Sequence, residues 1–178
     1  FIAELREVAG IEDISLTTNG VLLRDMCQGL RDAGISRLNI SLDSLKPQRF
    51  REITGSDTWD LVRQGIASVE EAGFSPIKLN MVPVKGVNDD EIADFARLTL
   101  DRRLHVRFIE FMPIGANDRW HRDACVTSAR VRDIVEREVG PLAPFLAKGS
   151  AGPSDNYQLP GARGVIGFIS PISKHFCA

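Results

Sequence analysis

The sequence predicts an α/β fold on a parallel sheet with one polar face, and two observations carry that prediction. Segments with strand character alternate with segments of helical periodicity, which is the order of a parallel α/β chain. Within the strands, polar and apolar residues alternate. Parallel strands normally read as continuous apolar runs because helices cover both faces. An open sheet with a solvated face would also alternate, but a barrel or partial barrel with a polar lumen fits better, because βα crossovers tend to cover exposed parallel faces. An ordinary (βα)8 barrel fills its interior with branched apolar side chains. A lumen of Ser, Thr, Asn, Lys and Glu implies a large polar ligand, since buried polar groups need partners.

Phe1, Leu5 and Val8 share one face at helical spacing, so the chain opens inside an amphipathic helix. With no initiator Met, cap residue or signal peptide before that helix, the sequence reads as an internal stretch of a longer protein. Strands are expected at Ile14 to Thr17, Leu38 to Leu42, Ile77 to Val82 and Val106 to Phe111, each bounded by turn residues. Helices are expected at Leu22 to Ala33, Leu61 to Ala72 and Asp90 to Leu100, the last after the cap-like "NDDE". "DAGISRLNIS" and "EAGFSPIKLN" repeat one plan, a helix ending in Ala-Gly and then a strand. Gly34 and Gly73 should therefore take left-handed helix-end conformations, with Asn39 equivalent to Lys78 and Ser41 to Asn80. Leu38, Ile40, Ile77 and Leu79 should pack under helices, and Phe108, Glu110 and Met112 should share a face of the fourth strand.

The chain has 178 residues, 43% of them hydrophobic, enough to bury a core. A net charge of -2 gives no reason to expect nucleic acid, and no apolar run suits a membrane. Three cysteines, with no close pair, argue against a secreted disulfide framework and for the cytoplasm.

Lys78 is the strongest single candidate for chemistry, because a lone cation on a neutral polar strand face is costly without an anion. An ion pair with Glu110 would serve equally well. Thr17 and Thr18 lie where strand turns to helix at "TTNG" and can present hydroxyls to a ligand or simply cap the helix. Together with Ser41 and Met112, Thr17 and Lys78 are expected at the C-terminal ends of the strands, the working mouth of such a sheet. Met112 alone reads more readily as core. Cys27 reads as a small buried hydrophobe, Cys125 is uninformative, and His105, His121 and His175 lack metal-ligand spacing. "RDIVEREV" reads as a solvated helix face. Cys177, one residue from the end, is either a plain terminal residue or one ligand of a motif completed elsewhere.

"LTTNGVLL", "LNISLDSL", "KLNMVPVKGVNDDE", "VRFIEFMPIG" and "ISKHFCA", in this order and spacing, resemble the molybdenum-cofactor biosynthesis protein A family, the radical S-adenosylmethionine GTP 3',8-cyclases. The resemblance implies a partial (βα) barrel of the radical-SAM type over residues 1–113, lacking its first strands, and the start of a C-terminal extension over 114–178. It implies that Ser41 and Met112 contact S-adenosylmethionine, that Thr17 and Lys78 contact GTP, and that Cys177 is the first ligand of a second, substrate-side [4Fe-4S] cluster. No catalytic residue is assigned within this stretch. It further implies two [4Fe-4S] clusters in the intact protein, a homodimer, and a downstream cyclic pyranopterin synthase. The family's Cys-x3-Cys-x2-Cys loop, its glycine-rich motif and the other second-cluster cysteines are absent, so this stretch alone is expected to be inactive. Two rival readings are a lysine Schiff-base aldolase on a (βα)8 barrel and a non-enzymatic scaffold domain. The first leaves Cys177 unexplained, and the second wastes the repeated polar positions.

Overall fold

The computed structural model describes residues 1–112, 122–146 and 153–174. The chain packs as two units, Phe1–Leu42 with Lys46–Leu79, and Asp43–Leu45 with Asn80–Ala178. The first unit contains α1 (Ile2–Arg6), β1 (Ser15–Thr18), α2 (Leu23–Asp32), β2 (Arg37–Ser41), α3 (Pro47–Thr54), α4 (Trp59–Glu71) and the start of β3 (Ile77–Met81). Its strand order is β1-β2-β3. β1 and β2 are parallel, with Thr17 beside Asn39. The Leu38 N–H donates to the Pro76 carbonyl at 3.3 Å, the bond of a parallel pair that sets Leu38 beside Ile77 and Asn39 beside Lys78.

The expected alternation is present. Leu38, Ile40, Ile77 and Leu79 are buried, while Asn39 and Lys78 are half-buried and Ser41 is exposed. α2 buries Leu23, Cys27 and Leu30, one stripe at helical spacing, and packs against α4, which buries Val62, Ile66 and Val69. Gly34 and Gly73 have φ of 90° and 76°, the helix-end conformation expected of both. α3 was not expected. Pro47 at its start and Gly55 with φ 71° at its end punctuate it, but Phe50 is its one buried residue, too little periodicity to read.

The second unit holds the end of β3, a 3-10 turn at Asp89–Glu91, α5 (Ile92–Asp101), β4 (Leu104–Ile109), a 3-10 turn at Arg122–Ala124, α6 (Ser128–Glu138), β5 (Ala143–Pro144), β6 (Asp155–Gln158) and β7 (Val165–Ile169). The order there is β4-β7-β6-β5, with β4 and β7 parallel and β5, β6 and β7 antiparallel to their neighbours. The wholly parallel sheet expected from the sequence is thus mostly parallel. β6 and β7 are joined by the short turn Leu159–Gly164, which has no room for a crossover helix and forces a reversal. α6 is the helix read at "RDIVEREV"; its Arg132–Glu136 pair faces solvent while Val131 and Val135 are buried. No helix among the described residues is long and apolar enough to cross a membrane.

Phe108 and Glu110 share a face of the fourth strand as expected, but Met112 does not extend it. β4 begins earlier and ends at Ile109, Phe108 and Glu110 are buried on the apolar side, and Met112 is 43% exposed beyond the strand. His105, Arg107 and Ile109 carry the half-buried face.

Two glycines of the first unit's helices differ in what surrounds them. A Cβ on Gly65 would lie 2.7 Å from the Gly20 carbonyl oxygen and 3.0 Å from Leu23 Cβ, so only a bare backbone lets α4 approach the β1–α2 turn. Gly29, exposed on α2 with an ordinary φ, has nothing within 4 Å. In urea unfolding, Gly65→Ala should destabilise by about 1–3 kcal/mol through backbone overpacking. Gly29→Ala should stabilise by about 0.5–1 kcal/mol through helix propensity.

Candidate functional site

The polar face of the first unit is organised by the turn after β1. Thr18 Oγ1 accepts from the Gly20 N–H at 3.1 Å and Asn19 Oδ1 from Val21 N–H at 3.2 Å, so these two side chains are spent holding the turn. Gly20 has φ 84°, and a Cβ there would meet Val62 at 3.1 Å and Ile40 at 3.2 Å. The turn is therefore wedged between β2 and α4. Thr17, one residue earlier, points to the other face and stays exposed. In register, Thr17, Asn39 and Lys78 make one polar row across β1, β2 and β3, and Ser41 lies further along β2 on the same face.

Lys78 does not lie at a strand's C-terminal end. β3 starts at Ile77, immediately after Pro76, which leaves Lys78 the second residue of its strand. Of the expected mouth residues, Thr17, Ser41 and Lys78 share a face of the first unit, whereas Met112 belongs to the second. Cys177, His121 and His175 lie outside the described residues. Cys27 is buried in α2, its thiol pushed up by burial and held back in part by Arg31, which suits the small-hydrophobe reading.

Arg107 was missed from the sequence. Its Nε donates to Asn80 Oδ1 at 2.8 Å, and burial lowers its pKa. It stands opposite Gly167 of β7, where a Cβ would come within 2.7 Å of His105 Nε2 and 3.1 Å of Arg107 Cγ. The bare glycine makes room for both side chains. A half-desolvated guanidinium on a polar strand face favours an anion. The signal was the alternation in "HVRFI", which sets Arg107 on the face opposite Val106 and Phe108.

Two buried carboxylate networks brace loops of the second unit. Glu91, fully buried, accepts from Ser44 Oγ at 2.8 Å and Leu45 N–H at 2.6 Å. Buried Asn88 accepts from Val84 N–H at 2.7 Å and donates to the carbonyls of Asp43 at 2.8 Å and Val82 at 3.1 Å. Asp43 accepts from Val82 N–H at 2.8 Å, yet burial dominates and raises its pKa. The "SLD" and "VNDDE" segments are thereby locked together.

The other network is Glu110, 2% exposed. Its carboxylate accepts from Ser128 N–H at 2.8 Å, Ile172 N–H at 3.0 Å, Ser173 N–H at 2.9 Å and Ser173 Oγ–H at 2.6 Å. Its acceptor sites are thus filled by donors of its own unit. Burial alone would raise its pKa, but the Ser173 hydroxyl and the three backbone donors outweigh it and hold the carboxyl below the ordinary glutamate range. Glu110 also helps to push the nearby Cys125 thiol up, after burial, and contributes to raising Lys174, whose main partner is Asp155.

Two family profiles match end to end: the Radical SAM superfamily over residues 1–99 and Molybdenum Cofactor Synthesis C over residues 104–178. This chain belongs to the radical SAM superfamily. It is 47% identical over 177 residues to the GTP 3',8-cyclase of Heliobacterium modesticaldum, covering 99% of this chain and 54% of the relative. The GTP 3',8-cyclases of Moorella thermoacetica (46%, the same coverage) and Alkaliphilus metalliredigens (44%, 99% and 53%) are similar to a comparable degree. The chain spans about half the length of the curated relatives it matches. A solved structure of TYW1 with a lysine-pyruvate adduct bound aligns with TM-score 0.53 at 16% identity, covering 76% of this chain and 44% of that one. At that identity the likeness speaks for the fold alone.

Radical SAM membership implies S-adenosylmethionine and a [4Fe-4S] cluster. The polar row suits a polar ligand. Among the described residues no three His, Cys, Asp or Glu side chains group to hold a metal, and Cys177 lies outside them.

Because Glu110's native pKa is depressed, its stabilisation is complete above the unfolded value, about 4.3, and fades as pH falls through the lower native value. Acid titration of stability should show wild type losing its advantage over Glu110→Gln only below about pH 4.3. An advantage that grows on acidification would contradict the clasp.

Proposed function

We propose that the intact protein is a radical S-adenosylmethionine GTP 3',8-cyclase that rearranges GTP into a cyclic dehydro-GTP, the first step of molybdenum cofactor biosynthesis. The observation that carries this reading is the continuity of the match, two family profiles in tandem and GTP 3',8-cyclases at 44–47% identity across nearly the whole chain. The polar row supports it, since it offers hydroxyl, amide and ammonium groups to a nucleotide.

In this reading Lys78 pairs with a phosphate of GTP and the Thr17 hydroxyl hydrogen-bonds the same nucleotide. The ammonium stands on a long, flexible stem at the second residue of β3. Ser41, exposed at the end of β2, and Met112, exposed beyond β4, contact S-adenosylmethionine, the hydroxyl through a hydrogen bond and the thioether against a flat apolar surface. S-adenosylmethionine, taking one electron from the intact protein's reduced [4Fe-4S] cluster and releasing methionine, would supply a 5'-deoxyadenosyl radical; the residues named here would orient the two nucleosides. Cys177 is the first ligand of a second [4Fe-4S] cluster that binds the substrate. The same reading has the enzyme working as a cytoplasmic homodimer and passing its product to a cyclic pyranopterin synthase.

In the full-length enzyme, Lys78→Ala should weaken GTP binding by about 1.5–3 kcal/mol, the scale of a charge-assisted hydrogen bond, and leave S-adenosylmethionine binding nearly unchanged. Calorimetry with each ligand checks it. Equal GTP affinity in both proteins would count against the assignment, and a carbonyl compound trapped on Lys78 by borohydride would favour the Schiff-base alternative.

A further inference from the structure

The Glu110 clasp joins three segments that are far apart in sequence. Glu110 follows directly on β4, and its own N–H continues the β4–β7 ladder to the Ile169 carbonyl at 3.0 Å. One oxygen, Oε1, takes the Ser128 N–H from the first turn of α6 together with the Ser173 hydroxyl. The other, Oε2, takes the backbone N–H groups of Ile172 and Ser173, in the turn after β7. Ser170 Oγ donates to Ser128 Oγ at 2.7 Å, closing the same junction, and the Lys174 ammonium pairs with Asp155 of β6. Met112 lies two residues after Glu110, and Cys177 four residues after Ser173.

We propose that Glu110 is a positioning residue whose buried carboxylate sets where the segment leading to Cys177 leaves the sheet, relative to the strand end that leads to Met112. The proposal rests on the cyclase reading, in which Met112 serves S-adenosylmethionine and Cys177 serves the substrate-side cluster. A carboxylate is suited to the task because it accepts on both oxygens and offers no N–H to repel four converging donors. An amide of the same shape keeps one acceptor oxygen and turns an NH2 toward donors. The clasp therefore does more than fill space. It fixes the exit of one ligand-bearing segment against the exit of the other.

The test compares full-length wild type, Glu110→Gln and Ser173→Ala. Hydrogen exchange of the metal-free proteins reads the clasp without any cofactor. The amides of Ile172 and Ser173 should exchange at least about tenfold faster in Glu110→Gln, and less so in Ser173→Ala, which removes one donor and leaves the carboxylate in place. The β4 amides Val106 and Phe108 should keep wild-type protection. In reconstituted enzyme, KM for GTP should rise about tenfold while KM for S-adenosylmethionine stays within about twofold, and the GTP-induced change in the second cluster's EPR signal should be lost. Unchanged exchange at Ile172 and Ser173 overturns the proposal. So does faster exchange with an unaltered KM for GTP and EPR response, because the clasp would then be structural only, and so does an equal rise in both KM values. If Glu110→Gln does not fold, Ser173→Ala carries the same comparisons on a smaller scale. Failure of the cyclase reading itself looks different: wild-type enzyme would make no cyclised product from GTP, whatever stands at position 110.

Discussion

The constraint on which the first unit depends is that helices cover one face of its parallel strands while the other face carries polar groups. Burying Leu38, Ile40, Ile77 and Leu79 on one side obliges every second residue to the other, because side chains alternate along a strand. In-register parallel pairing then lines up Thr17, Asn39 and Lys78. A one-residue slip would drive Asn39 and Lys78 into the helix-covered side. The glycine pair Gly20 and Gly65 protects that arrangement by letting α4 lie against the β1–α2 turn, so the site's geometry and the unit's packing share one origin.

The second unit solves a different problem. Beside its buried apolar layer, it uses buried acceptors that gather backbone donors. Glu91 and Asn88 tie Ser44, Leu45, Val82 and Val84, while Glu110 ties Ser128, Ile172 and Ser173. Buried polar groups of this kind specify one loop conformation, because every rearrangement leaves a donor unpaired in a low dielectric. Arg107 and Gly167 show the complementary device, a charged side chain given space by the absence of a Cβ across the ladder.

Much of the first unit was legible because its signals are local. Period-two alternation in "LNIS" and "IKLNM" exposed both faces, and the Ala-Gly helix endings announced Gly34 and Gly73. What escaped was non-local or weakly periodic. α3 buries little beyond Phe50, and β6 and β7 pair through a short turn whose partners cannot be read along the chain. Carrying the β4 reading past Ile109 extended one face to Met112, and Arg107, inside the expected strand, was not singled out. The Glu110 clasp escaped too, since nothing in the local sequence reveals that its four donors come from Ser128, Ile172 and Ser173. Chemistry was less legible than fold: the residues alone led to a polar-faced α/β domain with Lys78 prominent, and the family resemblance supplied the substrate.

The proposed role of the polar row as the nucleotide face is open to lysine footprinting of the full-length enzyme. An amine-reactive reagent would be applied with and without saturating GTP, and labelling of each lysine read by mass spectrometry. Lys78 should be protected by GTP, while Lys46 and Lys85, exposed and off the row, should label equally in both conditions. Equal labelling of Lys78 at saturation, with protection appearing only at lysines off the row, would contradict the account.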